Sequence, residues 1–352
     1  MLPRRDVRLN PREPFARSLV SKDMTAEPTF LKLPNRSLTD LDGASIVVVG
    51  ASEASPYSFE PRSHSADAPG VLRQVSASLA GSLTQYDFDL GTTLLPQSGD
   101  SRGIVDAGDI PTDPADAEGN RARIRSAVAD VLNAGAIPIV LGGDDSVPIP
   151  VIAAYEGSGP LIIVQVDAHV DWADVIDGNA YGYGSPMRRA AEFPWVTGMV
   201  QYGIRGLGSG QRWQHDDARA WGSRLLTSYD IHRDGIDAAL RHVPEGARVF
   251  ISIDCDGIDP AIFPAVNMPT PGGLNYEDMV LLLRGIAARA DIAGLALLEY
   301  VPERDDGHRL SAHIAVRLVM AVIASIVEAR DGRQGQKVGA GGSSLSMAPA
   351  GR

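Results

Sequence analysis

Short apolar runs alternate along the chain with segments in which apolar residues recur at helical spacing. The runs are typical of strands buried on both faces, and they occupy residues 45–50, 137–141, 161–166, 199–204, 248–253 and 294–298. Apolar residues three and four positions apart predict amphipathic helices at residues 124–132, 275–290 and 311–329. Strands that alternate with helices in this way predict an α/β fold with a mainly parallel sheet covered on both faces.

The two terminal segments differ from this alternating region. Residues 1–40 are rich in Pro, Arg and Ser without periodicity, which predicts an N-terminal arm. Residues 331–352 are rich in Gly and Ser, which predicts a disordered tail. No linker interrupts residues 41–330, so we expect this region to form a single domain.

Charge, cysteine content and hydropathy exclude several classes of protein. The formal net charge of −12 argues against a surface that coats DNA or RNA, and the single cysteine, Cys255, excludes an internal disulfide framework. The apolar run at residues 318–327 is about half as long as a bilayer crossing requires. The N-terminal arginines precede no apolar signal-peptide core. We therefore expect a cytoplasmic protein that binds neither nucleic acid nor membrane.

Acidic residues follow four of the predicted strands. In chain order they are Asp144, Asp145, Asp167, Asp171, Asp254, Asp256 and Glu299. Ligands of such sheets bind beyond the carboxyl ends of the strands, so these side chains should meet at one edge. Carboxylates gathered in a crevice repel one another unless protons or cations neutralise them. A bound divalent metal explains this arrangement most simply.

The spacing within two of these segments also favours a metal. Residues two positions apart face the same way in an extended segment, so Asp167, His169 and Asp171 would converge, as would Asp254 and Asp256. Oxygen ligands with one imidazole suit Mn²⁺ better than zinc, and two bridged metals with a hydroxide would activate water for hydrolysis. Acidic residues after strands are commonly solvated loop residues, but three such segments plus Glu299 favour the metal site.

Several segments along residues 45–330 resemble, in the same order, the ureohydrolase family of arginases, agmatinases and related amidinohydrolases. They are VDAGD (105–109), GGDDS (142–146), DAHVD (167–171), VQYGIRG (200–206), SIDCDGIDPA (252–261), MPTPGGL (268–274) and LLEYVPERD (297–305). The resemblance implies a three-layer α/β/α fold and two divalent metal ions per chain, Mn first and Ni second. It also implies hydrolysis of a guanidino group to urea and an amine, in a homo-trimer or hexamer.

Residue roles follow from the same resemblance. The implied metal ligands are Asp145, Asp167, His169, Asp171, Asp254 and Asp256, with Asp167 and Asp254 as the bridging pair. Glu299 would pair with the guanidinium, whose planar fork suits a carboxylate. We expect catalysis to use Asp171, Tyr183 and Glu299, and the substrate to contact Trp172, Tyr183 and Glu299.

Two positions depart from the family pattern, since Asp145 and Tyr183 both stand where the family has histidine. Aspartate is a competent ligand for a hard divalent ion. Tyrosine, with an ordinary pKa near 10, transfers protons poorly at neutral pH. His308 or His313 could replace the missing proton-transfer histidine, although a surface or helix role is the simpler interpretation of both. Alternatively, the segment around Tyr183 shapes a pocket for a different guanidine.

We predict metal-dependent hydrolysis of a small, cationic guanidino compound, either agmatine-like or a guanidino acid, by a metal-bridged hydroxide. One alternative is a hydrolase of guanidine or a substituted biguanide, with nickel. Another is a non-catalytic subunit that forms a hetero-oligomer with an active homologue. Loss of two histidines favours this last alternative, whereas the retained carboxylates argue against it, because unpaired buried acids cost stability.

Overall fold

Eight strands, all parallel, form one sheet in the computed structural model, which describes residues 28–59 and 62–341, without the side chains of 332–341. The strands are β1 (Ile46–Ala51), β2 (Ile104–Asp109), β3 (Ile137–Gly142), β4 (Leu161–Val166), β5 (Val196–Ile204), β6 (Arg224–Thr227), β7 (Arg248–Asp254) and β8 (Asp291–Leu298). Their order across the sheet is β2-β1-β3-β8-β7-β4-β5-β6. The predicted parallel sheet is confirmed.

Helices cover both faces of this sheet. They are α1 (Ala68–Ser76), α2 (Ala117–Asn133), α3 (Pro148–Ala153), α4 (Pro186–Ala191), α5 (Arg212–Trp221), α6 (Ser228–Asp234), α7 (Ile236–Leu240), α8 (Tyr276–Arg289) and α9 (Leu310–Gly341). Successive side chains of a strand point to opposite faces. Ile139 and Leu141 of β3 therefore join the apolar cluster under α1, α8 and α9, while Val140 joins the cluster under α2 and α3. The result is the three-layer α/β/α architecture that the family resemblance implies.

The two edge strands, β2 and β6, escaped the sequence prediction. Neither is a continuous apolar run: β2 reads IVDAGD and β6 reads RLLT. Asp106 of β2 is fully buried, and it is tolerated there because the Arg73 guanidinium donates to both of its carboxylate oxygens. This ion pair places a charged residue at a buried position of β2. The strand therefore lacks the continuous apolar run from which the other strands were predicted.

Both terminal predictions need revision within the described residues. Phe30 and Leu31, placed in the predicted arm, are buried in the apolar core, and the Phe30 N–H donates to Asp106. Helix α9 continues through residue 341, whereas disorder was predicted from residue 331. Extending an existing helix costs no new nucleation, which accounts for the continuation. Residues 1–27 and 342–352 lie outside the described part of the chain.

Among the described residues, one helical segment, Leu310–Asp331, is long and apolar enough to cross a membrane. In the most apolar 18-residue window of this segment, 78% of the window is buried inside the protein. This is the burial of a core helix, because α9 packs against α1 and α8 over the sheet.

The four strands followed by acidic segments are neighbours at the centre of the sheet, in the order β3-β8-β7-β4. Asp144 and Asp145 lie just beyond β3, Glu299 follows β8, Asp254 ends β7, and Asp167 follows β4. Because the strands are parallel, all of these residues lie at the same edge. The topology therefore explains why groups up to 154 positions apart, such as Asp145 and Glu299, can contact one another.

Candidate active site at the carboxyl edge of the sheet

The structure brings the predicted metal ligands into two overlapping clusters. Asp145, Asp167 and Asp254 form one cluster, and Asp167, His169 and Asp256 form the other; the ligand atoms of each lie within 4.8 Å of one another. Asp167 belongs to both clusters, the position expected of a bridging ligand. Asp171 belongs to neither, but it borders the same cavity.

Turns, rather than extended backbone, produce this convergence. The chain leaves β4 after Val166 and bends at residues 168 and 169, and the His169 N–H donates to Oδ1 of Asp167 over 2.5 Å. Asp254 likewise accepts from the Asp256 N–H, at 2.8 Å, in a 3₁₀ turn. The proposed alternation of extended residues is therefore wrong. The carboxylates themselves stabilise the turns, as aspartates often do.

The turn after β7 packs closely against the turn after β4. A Cβ on Gly257 would lie 2.7 Å from the backbone nitrogen of Asp167, so only glycine allows this approach. The Ala168 N–H donates to Oδ1 of Asp256 over 3.0 Å, which joins the two turns directly. Arg205 supports them from below, because its buried guanidinium donates to the Asp256 carbonyl oxygen over 2.7 Å.

Two residues at this edge have a left-handed backbone conformation that residues other than glycine rarely adopt. Asp171 has φ of 50° and Glu299 has φ of 64°. Such conformations persist only where the surrounding structure enforces them, and they concentrate at functional sites. Here they redirect two carboxylates into the cavity at the points where the chain leaves the central strands.

The electrostatics of the cluster require a cation or protons. Burial, and then the neighbouring carboxylates, raise the pKa of Asp145, Asp167 and Asp254 well above the ordinary range of aspartate. Burial alone would lower the pKa of His169, but the hydrogen bond to Asp256 and the surrounding negative charge raise it to about 9. The same negative charge would favour a divalent cation.

Asp145 shows most directly that the donor set fits metal ions. Both of its carboxylate oxygens are buried, and neither has a hydrogen-bond partner among the described residues. An unsatisfied buried carboxylate is costly, whereas a metal ligand needs free lone pairs. The oxygen-rich set with one imidazole matches hard divalent ions.

A buried glutamine holds two of the carboxylates from behind. Nε2 of Gln165, in β4, donates to Asp167 Oδ2 over 2.7 Å and to Asp171 Oδ2 over 2.5 Å. Carboxylates accept hydrogen bonds, so the amide nitrogen must face them. Its oxygen then accepts from Gln201 Nε2 at 2.6 Å, and Gln201 Oε1 accepts from Ser223 Oγ at 2.7 Å. The orientation of each amide is thus fixed by the next.

Glu299 has two partners within the protein. Oε1 accepts from the Asp145 N–H at 2.9 Å, and Oε2 lies 2.5 Å from Nε2 of His64. Burial raises the pKa of Glu299, and the adjacent His64 opposes the rise. The sequence analysis missed His64, which is 235 positions from Glu299 and lies in no recognisable spacing with it.

His64, and not the histidines suggested from the sequence, lies beside Glu299. His308 is exposed and His313 is half-buried. None of the three histidines lines the described cavity, but His64 contacts Glu299, which does. The His64 ring makes an edge contact with Tyr183, with centroids 5.6 Å apart. An imidazole therefore adjoins Tyr183, the position at which the family resemblance led us to expect a histidine.

Tyr183 and Trp172, both predicted to contact substrate, border the cavity with Glu299. The Tyr183 ring packs edge-on against Tyr57, with centroids 4.5 Å apart. The Trp172 indole donates to Asp217 over 2.8 Å, which fixes its orientation. Cys255, between Asp254 and Asp256, is fully buried in the apolar core.

The cavity encloses about 220 Å³, and its described lining includes neither lysine nor arginine. The nearby Arg188 and Arg189 make ion pairs with Asp174, Asp217 and Glu192. The cavity is thus negative at the metal-ligand end and uncharged elsewhere.

Comparison with known proteins identifies the family. The arginase family model matches residues 44–324. The chain belongs to the arginase family. It is 34% identical to N(1)-aminopropylagmatine ureohydrolase of Thermus thermophilus over 66% of this chain and 78% of that protein. Proclavaminate amidinohydrolase of Streptomyces clavuligerus is 31% identical, over 82% and 90% respectively.

A solved structure agrees with this assignment. Agmatine ureohydrolase of Thermoplasma volcanium superposes with a TM-score of 0.70 at 28% identity, covering 88% of this chain and 97% of that one. The arginase-family protein is therefore a hydrolase that acts on C–N bonds in linear amidines. Its family is one of binuclear metal enzymes, and the Asp and His clusters provide the matching site.

Proposed function

We propose that this chain hydrolyses a small guanidino compound of agmatine-like size, whose tail bears no carboxylate, to urea and an amine. The observation that carries the proposal is the position of Glu299, which shares one cavity with Asp145, His169, Asp254 and Asp256. A guanidinium paired with Glu299 would present its central carbon to the metal-ligand clusters. The lack of lysine or arginine among the described lining residues disfavours the guanidino-acid alternative.

Six residues would hold the metal ions: Asp145, Asp167, His169, Asp171, Asp254 and Asp256. Divalent ions bound there supply a water of lowered pKa as the nucleophile. We propose Mn²⁺ as the resident ion, because the donors are mainly carboxylate oxygens. We also propose a cytoplasmic homo-oligomer.

The remaining residues orient the substrate and move a proton. Water adds to the guanidine carbon, the bond from that carbon to the substituted nitrogen breaks, and the departing amine takes up a proton. Glu299 orients the planar guanidinium by accepting its N–H groups. His64 Nε2 and Glu299 Oε2, 2.5 Å apart, share the proton that the amine receives. Tyr183 and Trp172 form the cavity wall.

Urea release from a panel of guanidino compounds tests the proposal. The metal-loaded protein is assayed with Mn²⁺ and with Ni²⁺ on agmatine, 4-guanidinobutyrate, alkylguanidines, guanidine and a biguanide. Urea from agmatine or an alkylguanidine, exceeding that from 4-guanidinobutyrate, is expected. Glu299→Gln should abolish it, whereas Glu303→Gln, the same change at an exposed position, should not. Two bound metals without urea from any compound would favour the non-catalytic alternative.

A further inference from the structure

A groove opens directly from the metal cavity. It encloses about 610 Å³, and five residues line both spaces: Ala173, Ile176, Gly208, Gly210 and Gln214. Because the two spaces share these walls, a molecule whose guanidino group lies at Glu299 can extend into the groove. This continuity identifies the groove as a place for the remainder of the substrate.

The groove is lined by apolar side chains that are unusually exposed. Val175 is 57% exposed, Ile176 38%, Leu207 102% and Trp213 49%. Single exposed apolar residues are ordinary on protein surfaces, but several gathered around one concavity mark a binding site. All four line the same groove, so they form one apolar surface and not four separate exposed residues.

Charge in the groove is already neutralised. Asp174 is the only ionisable residue among its described lining. Its Oδ1 accepts from Arg189 Nη2 at 2.6 Å and from Arg188 Nε at 3.3 Å. Arg188 also lies over the Trp213 ring, 5.9 Å from its centroid, which restrains the indole. The groove therefore offers four exposed apolar side chains, and its one carboxylate is already paired through Oδ1 with two arginines.

We propose that this groove binds the tail of the substrate and that the tail is apolar, so that the substrate is an N-alkyl or N-aralkyl guanidine. The proposal rests on the proposed function only in placing the guanidino group at Glu299. Burying one methylene strengthens binding about fourfold when burial is complete. In an open groove we expect about twofold to fourfold for each added methylene.

A chain-length series tests the proposal. Methyl-, propyl-, pentyl- and phenethylguanidine are compared by kcat/KM for urea release and by affinity for the metal-loaded protein. Affinity is measured by isothermal titration calorimetry, which does not depend on Trp213 and so serves the Trp213 variant as well. Agmatine is the charged counterpart of pentylguanidine, with an ammonium group in place of the terminal methyl. We expect both quantities to rise with tail length, and pentylguanidine to exceed agmatine about tenfold.

Two exposed leucines provide a matched pair of variants. We compare pentylguanidine with methylguanidine, first by the ratio of their kcat/KM values and then by the ratio of their affinities. Leu207→Ser, in the groove, and Trp213→Ala should each lower both ratios at least threefold. Leu281→Ser, on the exposed side of α8, should leave the ratio unchanged.

The outcomes separate this proposal from the proposed function. Urea release that is independent of tail length, or equal ratios in the groove variants and wild type, would overturn the groove assignment while leaving the hydrolase intact. Length-dependent affinity without urea from any guanidine would support the groove and overturn the hydrolase. If Leu207→Ser changed the oligomeric state and left the length dependence intact, the groove would be a subunit interface and the proposal would be wrong.

Discussion

The proposed active site has two halves that differ in how the fold constructs them. The metal half consists of Asp145, Asp167, His169, Asp171, Asp254 and Asp256; the substrate half consists of His64, Trp172, Tyr183 and Glu299. Every member of the metal half lies at or just after the end of a central strand. In the substrate half, Glu299 and Trp172 also follow central strands, whereas His64 and Tyr183 come from other loops.

The difference teaches where chemistry constrains the sequence most tightly. Metal ions need several carboxylates at fixed positions, and neighbouring parallel strands supply such positions. The substrate half needs only shape and one carboxylate, so its aromatic and imidazole groups can come from any loop that reaches the cavity. The comparison predicts that loss of a ligand from the metal half lowers the metal content, whereas changes in the substrate half lower activity and leave the metal content unchanged.

The largest effect should follow Asp254→Asn in the metal half. Removing one buried ligand charge should reduce bound metal below one ion per chain and lower kcat at least about a thousandfold, because the metal ions supply the nucleophile. Metal analysis and urea release measure both quantities. Asp130→Asn, the same change on the exposed surface of α2, serves as the control. A fully metallated, active Asp254→Asn protein would contradict the assignment of Asp254.

His64→Asn should have the largest effect in the substrate half. General acid–base groups typically contribute about 10²–10⁴-fold, so kcat should fall by about that factor with the metal content unchanged. His308→Asn, at an exposed position, should retain activity. If His64→Asn lost metal, His64 would contribute to metal binding, and the proposed division into a metal half and a substrate half would be wrong.

Gln165→Leu probes the support behind the metal half. Hydrogen bonds that orient metal ligands are typically worth about 10–100-fold in metal affinity, and this substitution removes the donor to both Asp167 and Asp171. We expect a loss of that size in a metal titration of the chelator-treated protein. Gln74→Leu, on the exposed face of α1, should bind metal normally. If Gln165→Leu bound metal with wild-type affinity, the hydrogen bonds from Gln165 would not contribute to metal binding, and its role would be packing alone.

Asp145→His should produce the smallest change, a shift in the pH optimum. Five carboxylates and one neutral imidazole around two divalent ions leave one net negative charge, which weakens the pull of the metals on bound water and raises its pKa. Replacing Asp145 by histidine removes that excess charge, so the optimum of kcat should move to lower pH. Asp145→Asn removes the same charge but also a ligand, so it should instead lose metal, as Asp254→Asn does. An unchanged or more alkaline optimum in Asp145→His would refute the charge argument.

The two halves also differ in how far the sequence predicted them. Asp167, His169 and Asp254 follow apolar runs in short segments, so their meeting could be inferred from the parallel topology alone. His64 could not, because the loop that carries it reaches Glu299 only through tertiary packing across 235 positions. Gln165 was hidden inside a run interpreted as wholly apolar, although a buried amide in a central strand always needs a partner.

The residues of the groove could not be predicted from the sequence either. Leu207 and Trp213 looked like ordinary loop and helix residues in the sequence, and only the structure brings them to one wall with Val175. The edge strand β2 was missed for a related reason, since the Asp106 that interrupts its apolar run is paired with the distant Arg73. Contacts between distant segments are what the local patterns could not predict.

The metal content of the wild-type chain tests the central claim most directly. The chelator-treated protein is titrated with Mn²⁺, and the bound ions per chain are counted after removal of free metal. We predict two ions per chain, together with activity that returns as they bind. A chain that binds no divalent ion, or one that releases urea equally well without metal, would contradict the account.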